Sequence, residues 1–349
     1  MTNHAFNKGE WSEPFVFVKL IIHNRLFLGD QNHKPTTDYI DVISLNANAS
    51  DVLIQILNSH QIQLESLSLG KGKSLLEIKE IVDSDTITTI LNKIKSSRGG
   101  SFNAPLEMIE KIFNKLGIKH FKGGANSKGD FNISYWHQKV GITYPLQAVS
   151  IKSFLGSKPT LINPTAHTKF KYKVEGLGVD IVSINKRLGE LRYKSKIQKL
   201  IEIGGNISFI DVKESVYKKN LIKVDSGMPK LLGQSLLSYF STKRQAKLAY
   251  FIQDEINIIH VKRLLLESLL GIFPSMDWDG KRTCNGSISL LTNGNLLFYH
   301  VVDQGVFEDY LFNKTRFDSP QSRNTNNYCE LYEENGIVYI DLILQIRFQ

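Results

Sequence analysis

Two short runs of alternating residues constrain the fold most. In one, Phe131, Ile133 and Tyr135 alternate with Asn132 and Ser134; in the other, Val149 and Ile151 alternate with Ser150 and Lys152. A period of two puts each apolar set on one face of a strand. Strands with one apolar face need another layer to cover it. Helical spacing supplies that layer. Trp11, Phe15, Val18 and Ile22 predict a helix over residues 7–28, with Asn7 and Glu10 spaced as a capping box. Pro14 would remove an interior donor from that helix, so a start near Ser12 is a second solution. Helices are also predicted over 51–58, 84–95, 104–116, 181–201, 226–240 and 245–270. Strands are predicted over 39–45, 130–137, 147–154, 207–212, 288–291, 296–301 and 337–348, with Asn293-Gly294 as a hairpin turn. Residues 123–129 and 156–168 read as loops. The pattern mixes helices and strands along the chain and turns to strands from Trp278 onward.

An acid opens the first strand and a lysine lies on the second. Asp130 with Lys152 is a minimal kit for holding a divalent metal beside a phosphodiester: the carboxylate ligates the ion, and the ammonium orients water or stabilises phosphate charge. Ser150 stands two residues before Lys152, where this chemistry usually has a second acid, so another carboxylate must come from elsewhere. Glu13 and Glu10 lie three residues apart near the first helix start and can share a face. Glu10 is also the residue a capping box needs, which favours Glu13. Taken singly, Asp130 also reads as a solvent-facing acid and Lys152 as a surface lysine.

The surrounding chain suits such a site. The 349 residues carry 43 Lys+Arg against 34 Asp+Glu, a net charge of +9 that favours a polyanionic partner. Residues 169–199 concentrate the excess, and Lys169, Lys171 and Lys173 alternate as a stripe on one strand face that could track phosphates. Asn163 in the polar 157–168 loop, and Arg192, Arg282, Arg316 and Arg323, are candidates for a groove or base edge. Two distant cysteines, Cys284 and Cys329, support neither a disulfide framework nor a zinc site. The polar stretch 1–10 has no signal core, and no run reaches the ~18 apolar residues of a bilayer span. A cytoplasmic protein with no membrane partner is expected.

Other motifs compete. Ile210-Asp211-Val212-Lys213-Glu214 is a rival acid-x-lysine strand but lacks a preceding acid strand. Gly70-Lys71-Gly72-Lys73-Ser74 lacks the first glycine and the strand of a phosphate-binding loop. His260 and His300 have no ligand-spaced partners and read as structural.

Longer blocks carry a resemblance. Residues 6–13 (Phe-Asn-Lys-Gly-Glu-Trp-Ser-Glu), Val149-Ser150-Ile151-Lys152-Ser153 with Leu155-Gly156, and Pro159-Thr160-Leu161-Ile162-Asn163 resemble the HpaII-type restriction endonucleases. So do residues 307–315, Asp318-Ser319-Pro320 with Ser322-Arg323, and Leu342-Ile343-Leu344-Gln345-Ile346-Arg347-Phe348, in the family's order. The resemblance implies a type II restriction endonuclease of the PD-(D/E)XK superfamily, with an α/β (α+β) fold: a mixed β-sheet core flanked by helices, with additional helical and C-terminal β elements. It implies Mg²⁺-dependent hydrolysis of double-stranded DNA at a short palindrome, CCGG for the namesake. It further implies that Asp130 and Lys152 are catalytic, that the N-terminal helix lends a glutamate, that Ser150 is a family trait, and that a cognate DNA methyltransferase is the functional partner. With no repeat or linker in view, 1–349 is expected to be one integrated unit: 1–175 carrying the N-terminal helical region and catalytic core, 176–349 the DNA-binding and structural elaboration. A palindrome invites a homodimer, although a monomer cutting each strand in turn remains open. A structure-selective nuclease, or a DNA-binding protein without cleavage, would share the fold.

Overall fold

The computed structural model describes residues 5–68, 73–98, 100–121, 127–178, 180–189, 191–243, 247–320 and 329–349. In chain order the elements begin with α1 (Lys8–Ile22), β1 (Arg25–Gly29), β2 (Pro35–Ala47), β3 (Val52–Ile56), β4 (Gln61–Ser66), β5 (Ser74–Glu77), α2 (Ile78–Ile81), α3 (Ser84–Ser96) and α4 (Leu106–Lys115). They continue with β6 (Phe131–His137), β7 (Ile142–Ser153), β8 (Thr160–Ile162), β9 (Lys169–Glu175), α5 (Ile181–Leu188), α6 (Tyr193–Glu202), β10 (Asn206–Val212), α7 (Ser215–Val224), α8 (Met228–Ser241), α9 (Leu248–Phe251) and α10 (Glu255–Leu270). They end with β11 (Gly286–Leu290), β12 (Leu296–His300), α11 (Gln304–Asn313), β13 (Thr315–Phe317), β14 (Leu331–Glu334), β15 (Ile337–Ile343) and β16 (Ile346–Phe348). Two compact units result, each from two stretches of chain: 1–159 with 282–307, and 160–281 with 308–349. The expected halves were each continuous. The units interleave because β11 and β12 join the sheet of β6 and β7, whereas β9 pairs with β10 and β15 in the second unit.

The first unit is a mixed α/β body. Its nine strands run in the order β1-β12-β11-β7-β6-β2-β3-β4-β5, and β1 also pairs with β2, so six strands close on themselves. The β11–β7 and β1–β12 pairs are parallel; β6 is antiparallel to both β2 and β7. Phe131, Ile133, Tyr135, Val149 and Ile151 face the core with Trp11, Phe15 and Phe17 of α1. Phe17 is the hub, its ring 5.3 Å from Phe131 and 5.4 Å from Phe121, both edge-on, a geometry worth about 1 kcal/mol per pair beyond burial.

Helix α1 begins where the capping box places it. Asn7 Oδ1 accepts from the Glu10 amide at 3.0 Å, and Glu10 Oε2 accepts from the Asn7 amide at 2.9 Å. The alternative start near Ser12 is therefore not used, and Pro14 lies inside the helix. Burial of Trp11, Phe15 and Val18, each 0% exposed, outweighs the one missing bond. The predicted extension to residue 28 fails at His23, because Leu26 and Leu28 alternate into the core as β1. The helix predicted over 51–58 is strand β3, built on β-branched residues that alternate around buried Ile54. The helix predicted over 181–201 is two helices, with Gly189 as the C-cap of α5. Strand β1, strands β4 and β5, α7 and α11 had no counterpart among the expected elements.

The closed end of the first unit buries two histidines. The backbone amide of Val302 donates to His300 Nδ1 at 3.2 Å, so the proton sits on Nε2, which is 3.1 Å from Gln147 Oε1. His137 is 0% exposed, and among the described residues neither of its ring nitrogens has a hydrogen-bond partner. Burial, then the neighbouring His137, pushes His300 down from 6.5 to about 4, and burial lowers His137 as well. The unfolded chain therefore takes up these protons first. Stability is full above pH 6.5 and declines as pH falls toward 4, by roughly 3 kcal/mol for His300 alone. Denaturation midpoints measured from pH 7 to pH 4.5 should fall accordingly, and His300→Asn should flatten the curve.

The second unit holds an antiparallel sheet in the order β10-β9-β15-β14 and a small sheet in the order β13-β16-β8. Helix α8 packs on β10, where Phe209 fills the space beside Gly233 and Tyr172 Oη donates to the Gly233 carbonyl at 2.8 Å.

Candidate active site

The site grows from the start of β6. Phe131 pairs with Val149 and both face the core, so Ala148, Ser150 and Lys152 occupy the opposite, outer face of β7. The Asp130 amide donates to the Val149 carbonyl at 2.8 Å. Beyond that rung the main chain leaves the ladder, and the Asp130 side chain takes the next position. Its Oδ2 accepts from the Ile151 amide at 2.6 Å. The carboxylate thus sits against the residue lying between Ser150 and Lys152. A charged acceptor on a main-chain N–H is among the stronger hydrogen bonds and fixes the position of the carboxylate.

The chain just before Asp130 crosses the outer face of β7. The Gly129 carbonyl accepts from Asn48 Nδ2 at 2.7 Å, on the β2 side, and Asn132 Nδ2 donates to Asn48 Oδ1 at 2.9 Å. On the β11 side, the Lys128 amide donates to Thr283 Oγ1 at 3.0 Å, and the Asn285 amide donates to the Ala148 carbonyl at 3.0 Å. Between these anchors a Cβ on Gly129 would fall 2.5 Å from the Ala148 Cβ. Only glycine allows so close a crossing. Gly129→Ala should therefore lift the chain, cost about 1–3 kcal/mol as overpacking, and lower cleavage by displacing Asp130. A melting curve and a cleavage assay on the same preparation check both effects.

Charges converge beneath this crossing. Cys284 is buried and donates to the Gly286 carbonyl at 3.0 Å. Burial pushes its thiol up to about 12, with the Asp130 carboxylate raising it further and the Lys152 ammonium lowering it. One thiol thus senses both candidate residues. Lys128 is pushed down to about 8 by burial first and then by the Lys152 charge. Ser150 is 3% exposed, while Asp130 and Lys152 are half-buried.

Helix α1 approaches β7 from the other side. Ser12 Oγ donates to the Lys8 carbonyl and shares a hydrogen bond with Ser153 Oγ, each at 2.7 Å. Glu13, half-buried, is the next residue on that helix. Glu10 closes the capping box, so one of its carboxylate oxygens serves the helix start. Among the described residues, no three His, Cys, Asp or Glu side chains gather into a metal-holding group. Asp130, Glu13 and Glu10 are therefore not assembled as a three-acid cage.

The lysine stripe lies in the second unit and differs from its sequence appearance. Lys169, Lys171 and Lys173 share the solvent face of β9, opposite buried Phe170, Tyr172 and Val174. Lys171 pairs with Glu334 and stands 3.8 Å over the Tyr339 ring, and Lys173 pairs with Glu175 at 2.5 Å. The rival motif belongs to the same network: Lys213 bonds Asp341 at 2.5 Å, and Lys218 bonds Asp211 at 2.6 Å. Glu334 of β14 and Glu175 of β9 thus offset a row that reads as bare positive charge in sequence. Asn163 is exposed, with its carbonyl accepting from Thr168 Oγ1 at 3.4 Å, and Arg192 is exposed at the N-cap of α6. Arg282 Nη2 donates to Gln304 Oε1 at 3.5 Å in the first unit, and Arg316 pairs with Asp318 at 3.7 Å in the second. Arg323, Ser322 and most of the Gly70–Gly72 motif and the 123–129 loop lie outside the described residues.

Sequence reasoning missed Lys128, Thr283 and Asn48. Lys128 had a weak signal, a cation two residues before the chosen acid. Thr283 and Asn48 had none, because each comes from a distant part of the chain.

Comparison with known proteins was made against this geometry. A family model described as the HpaII restriction endonuclease matches residues 7–348. A curated relative, the type II restriction enzyme HpaII of Haemophilus parainfluenzae, is 29% identical, covering 98% of this chain and 98% of that protein. No solved structure matches.

Proposed function

Since the chain belongs to the HpaII restriction endonuclease family and is a type II site-specific nuclease acting on DNA, we propose that Asp130, Ser150 and Lys152 form its phosphodiester-hydrolysing centre, within a core of the PD-(D/E)XK type. The 2.6 Å bond from the Ile151 amide to Asp130 Oδ2 carries this reading. It sets the carboxylate at the midpoint of the Ser150–Lys152 segment.

The donor set fits one hard divalent cation. Mg²⁺ prefers oxygen, keeps several waters and takes one or two carboxylates together with substrate phosphate. Asp130 would hold it, with the Ser150 hydroxyl as a further oxygen donor and waters filling the rest of the shell. A bound Mg²⁺ supplies Lewis acidity to the phosphate and lowers the pKa of water. The protein's own groups do the rest. The Lys152 ammonium orients the attacking water and offsets charge that builds on the phosphate oxygens. The Ile151 amide holds Asp130 in place. Lys169, Lys171, Lys173, Asn163 and Arg192 are proposed to contact DNA, the lysines by exchanging their carboxylate partners for phosphates.

The proposed target is the CCGG palindrome, cut by a homodimer with one centre per strand. A cognate methyltransferase would protect host sites in the cytoplasm. Among the described residues, no helix is long and apolar enough to cross a membrane. Digestion of a sequenced plasmid with Mg²⁺, followed by mapping of the ends, tests this. Discrete fragments ending within CCGG are expected. A smear, or binding without cutting under both Mg²⁺ and Mn²⁺, would overturn it.

A further inference from the structure

We propose that the outer face of β1, β2 and β6 is a two-fold interface with a second copy of this chain, closed by Arg25 of each protomer against Asp41 of the other; this rests on the homodimer proposed above. Antiparallel pairing sorts these strands into two layers. Leu26 stands opposite Ile40 and Ile40 opposite His137, and all three are buried inside. Their neighbours Arg25, Asp41 and Trp136, and the pair Phe27 and Tyr39, therefore point outward. There the rings form a ladder: Phe27 lies 6.3 Å from Tyr39, edge-on, and Tyr39 lies 6.3 Å from Trp136. The Arg25 guanidinium stacks 3.9 Å over Tyr39 and bonds both carboxylate oxygens of Asp41, at 2.8 and 3.0 Å. A bulge between Val42 and Ser44 turns Ile43 outward beside them, where it is 37% exposed; Phe27 is 43% exposed.

Trp, Tyr and Arg grouped with exposed apolar side chains is the composition of an interface core. Charge names the occupant. Arg25 and Asp41 cancel on a chain of net charge +9, so this face lacks the positive field that draws phosphates. One cation beside one anion is instead complementary to its own copy. A two-fold axis through the face sets Arg25 of one protomer against Asp41 of its partner, and the reverse. The strands here are joined to neighbours on both sides, so they offer no free edge, and the contact is made by side chains, sheet face to sheet face. Strand β6 links this face to the site, with Asp130 just before its start and Trp136 near its end. Dimerisation through it fixes the second centre relative to the first.

The test is sedimentation of the full-length protein, alone and with a CCGG duplex, for the parent, Arg25→Asp, Asp41→Arg and an equimolar mixture of the two variants. DNA affinity and melting temperature are measured on the same preparations. The parent should be a dimer. Each variant alone sets like charges against each other across the axis and should dimerise about 10²-fold more weakly. The mixture should recover to within about tenfold of the parent, since an acidic face now meets a basic one. If the parent stays a monomer in both conditions, the homodimer itself is wrong, and this interface with it. If the parent is a dimer and both variants match it, the homodimer stands and this face is not its interface. If Arg25→Asp sediments as the parent but binds DNA more weakly, the face is a DNA contact and the proposal is overturned. If each variant weakens the dimer and the mixture does not recover, the effect is on the fold of the strands and the proposal fails. Should either variant melt well below the parent, Ile43→Glu is read in its place: loss of the dimer at an unchanged melting temperature supports the interface, and an intact dimer overturns it.

Discussion

Lys152→Ala is expected to lower single-turnover cleavage by at least about 10³-fold while leaving DNA binding within about threefold of the parent. Lys152 is half-buried on the outer face of β7, and the carboxylate of Asp130 is hydrogen-bonded to the residue just before it. A charge fixed there acts in a medium less polar than water, so its loss is felt most when the phosphate carries most charge. The ground-state complex spreads its affinity over many phosphates and loses only one contact. The substitution also leaves the core untouched, because Val149 and Ile151 point the other way. A rate within tenfold of the parent, at an unchanged melting temperature, would remove Lys152 from the mechanism.

Asp130→Asn is expected to be nearly as damaging, again by about 10³-fold in rate, with almost no effect on stability. Asparagine keeps an oxygen that can accept from the Ile151 amide, so the strand start is preserved and only the charge is lost. Asp130→Ala should lose the same activity and in addition strand the Ile151 amide. An unsatisfied main-chain donor costs about 1–3 kcal/mol, visible as a melting point lower by roughly 2–10 °C. The pair of variants separates the two roles of this side chain. If Asp130→Asn retains cleavage, the acid is a structural cap on β7 and the metal must be held elsewhere.

The site strands were legible because their information is local. The alternation of Phe131, Ile133 and Tyr135, and of Val149 and Ile151, determines which face is buried, so the opposite face of Ser150 and Lys152 follows without any knowledge of the fold. The capping box at Asn7 and Glu10 is equally local, and it forms as its spacing predicts. The lysine stripe shows where such reasoning stops. Alternation correctly puts Lys169, Lys171 and Lys173 on one face of β9. The partner of Lys171, Glu334, however, arrives on a strand far along the chain, and the stripe's net charge depends on it. Residues 51–58 went wrong for a related reason: a short apolar run has no strong period of its own, and pairing of β3 with β2 and β4 decided it.

What the sequence determined by itself was the strands and the buried and outer faces around Asp130 and Lys152, since each depends on neighbours a few residues away. Tertiary structure alone decided that β11, some 130 residues downstream of β7, runs parallel beside it and brings Thr283 and Cys284 to the site. It also decided that the main chain at Gly129 is pressed against Ala148 on the outer face of β7. Pattern cannot reveal such contacts, because their free energy comes from pieces of chain whose separation in sequence has no bearing on their distance once folded.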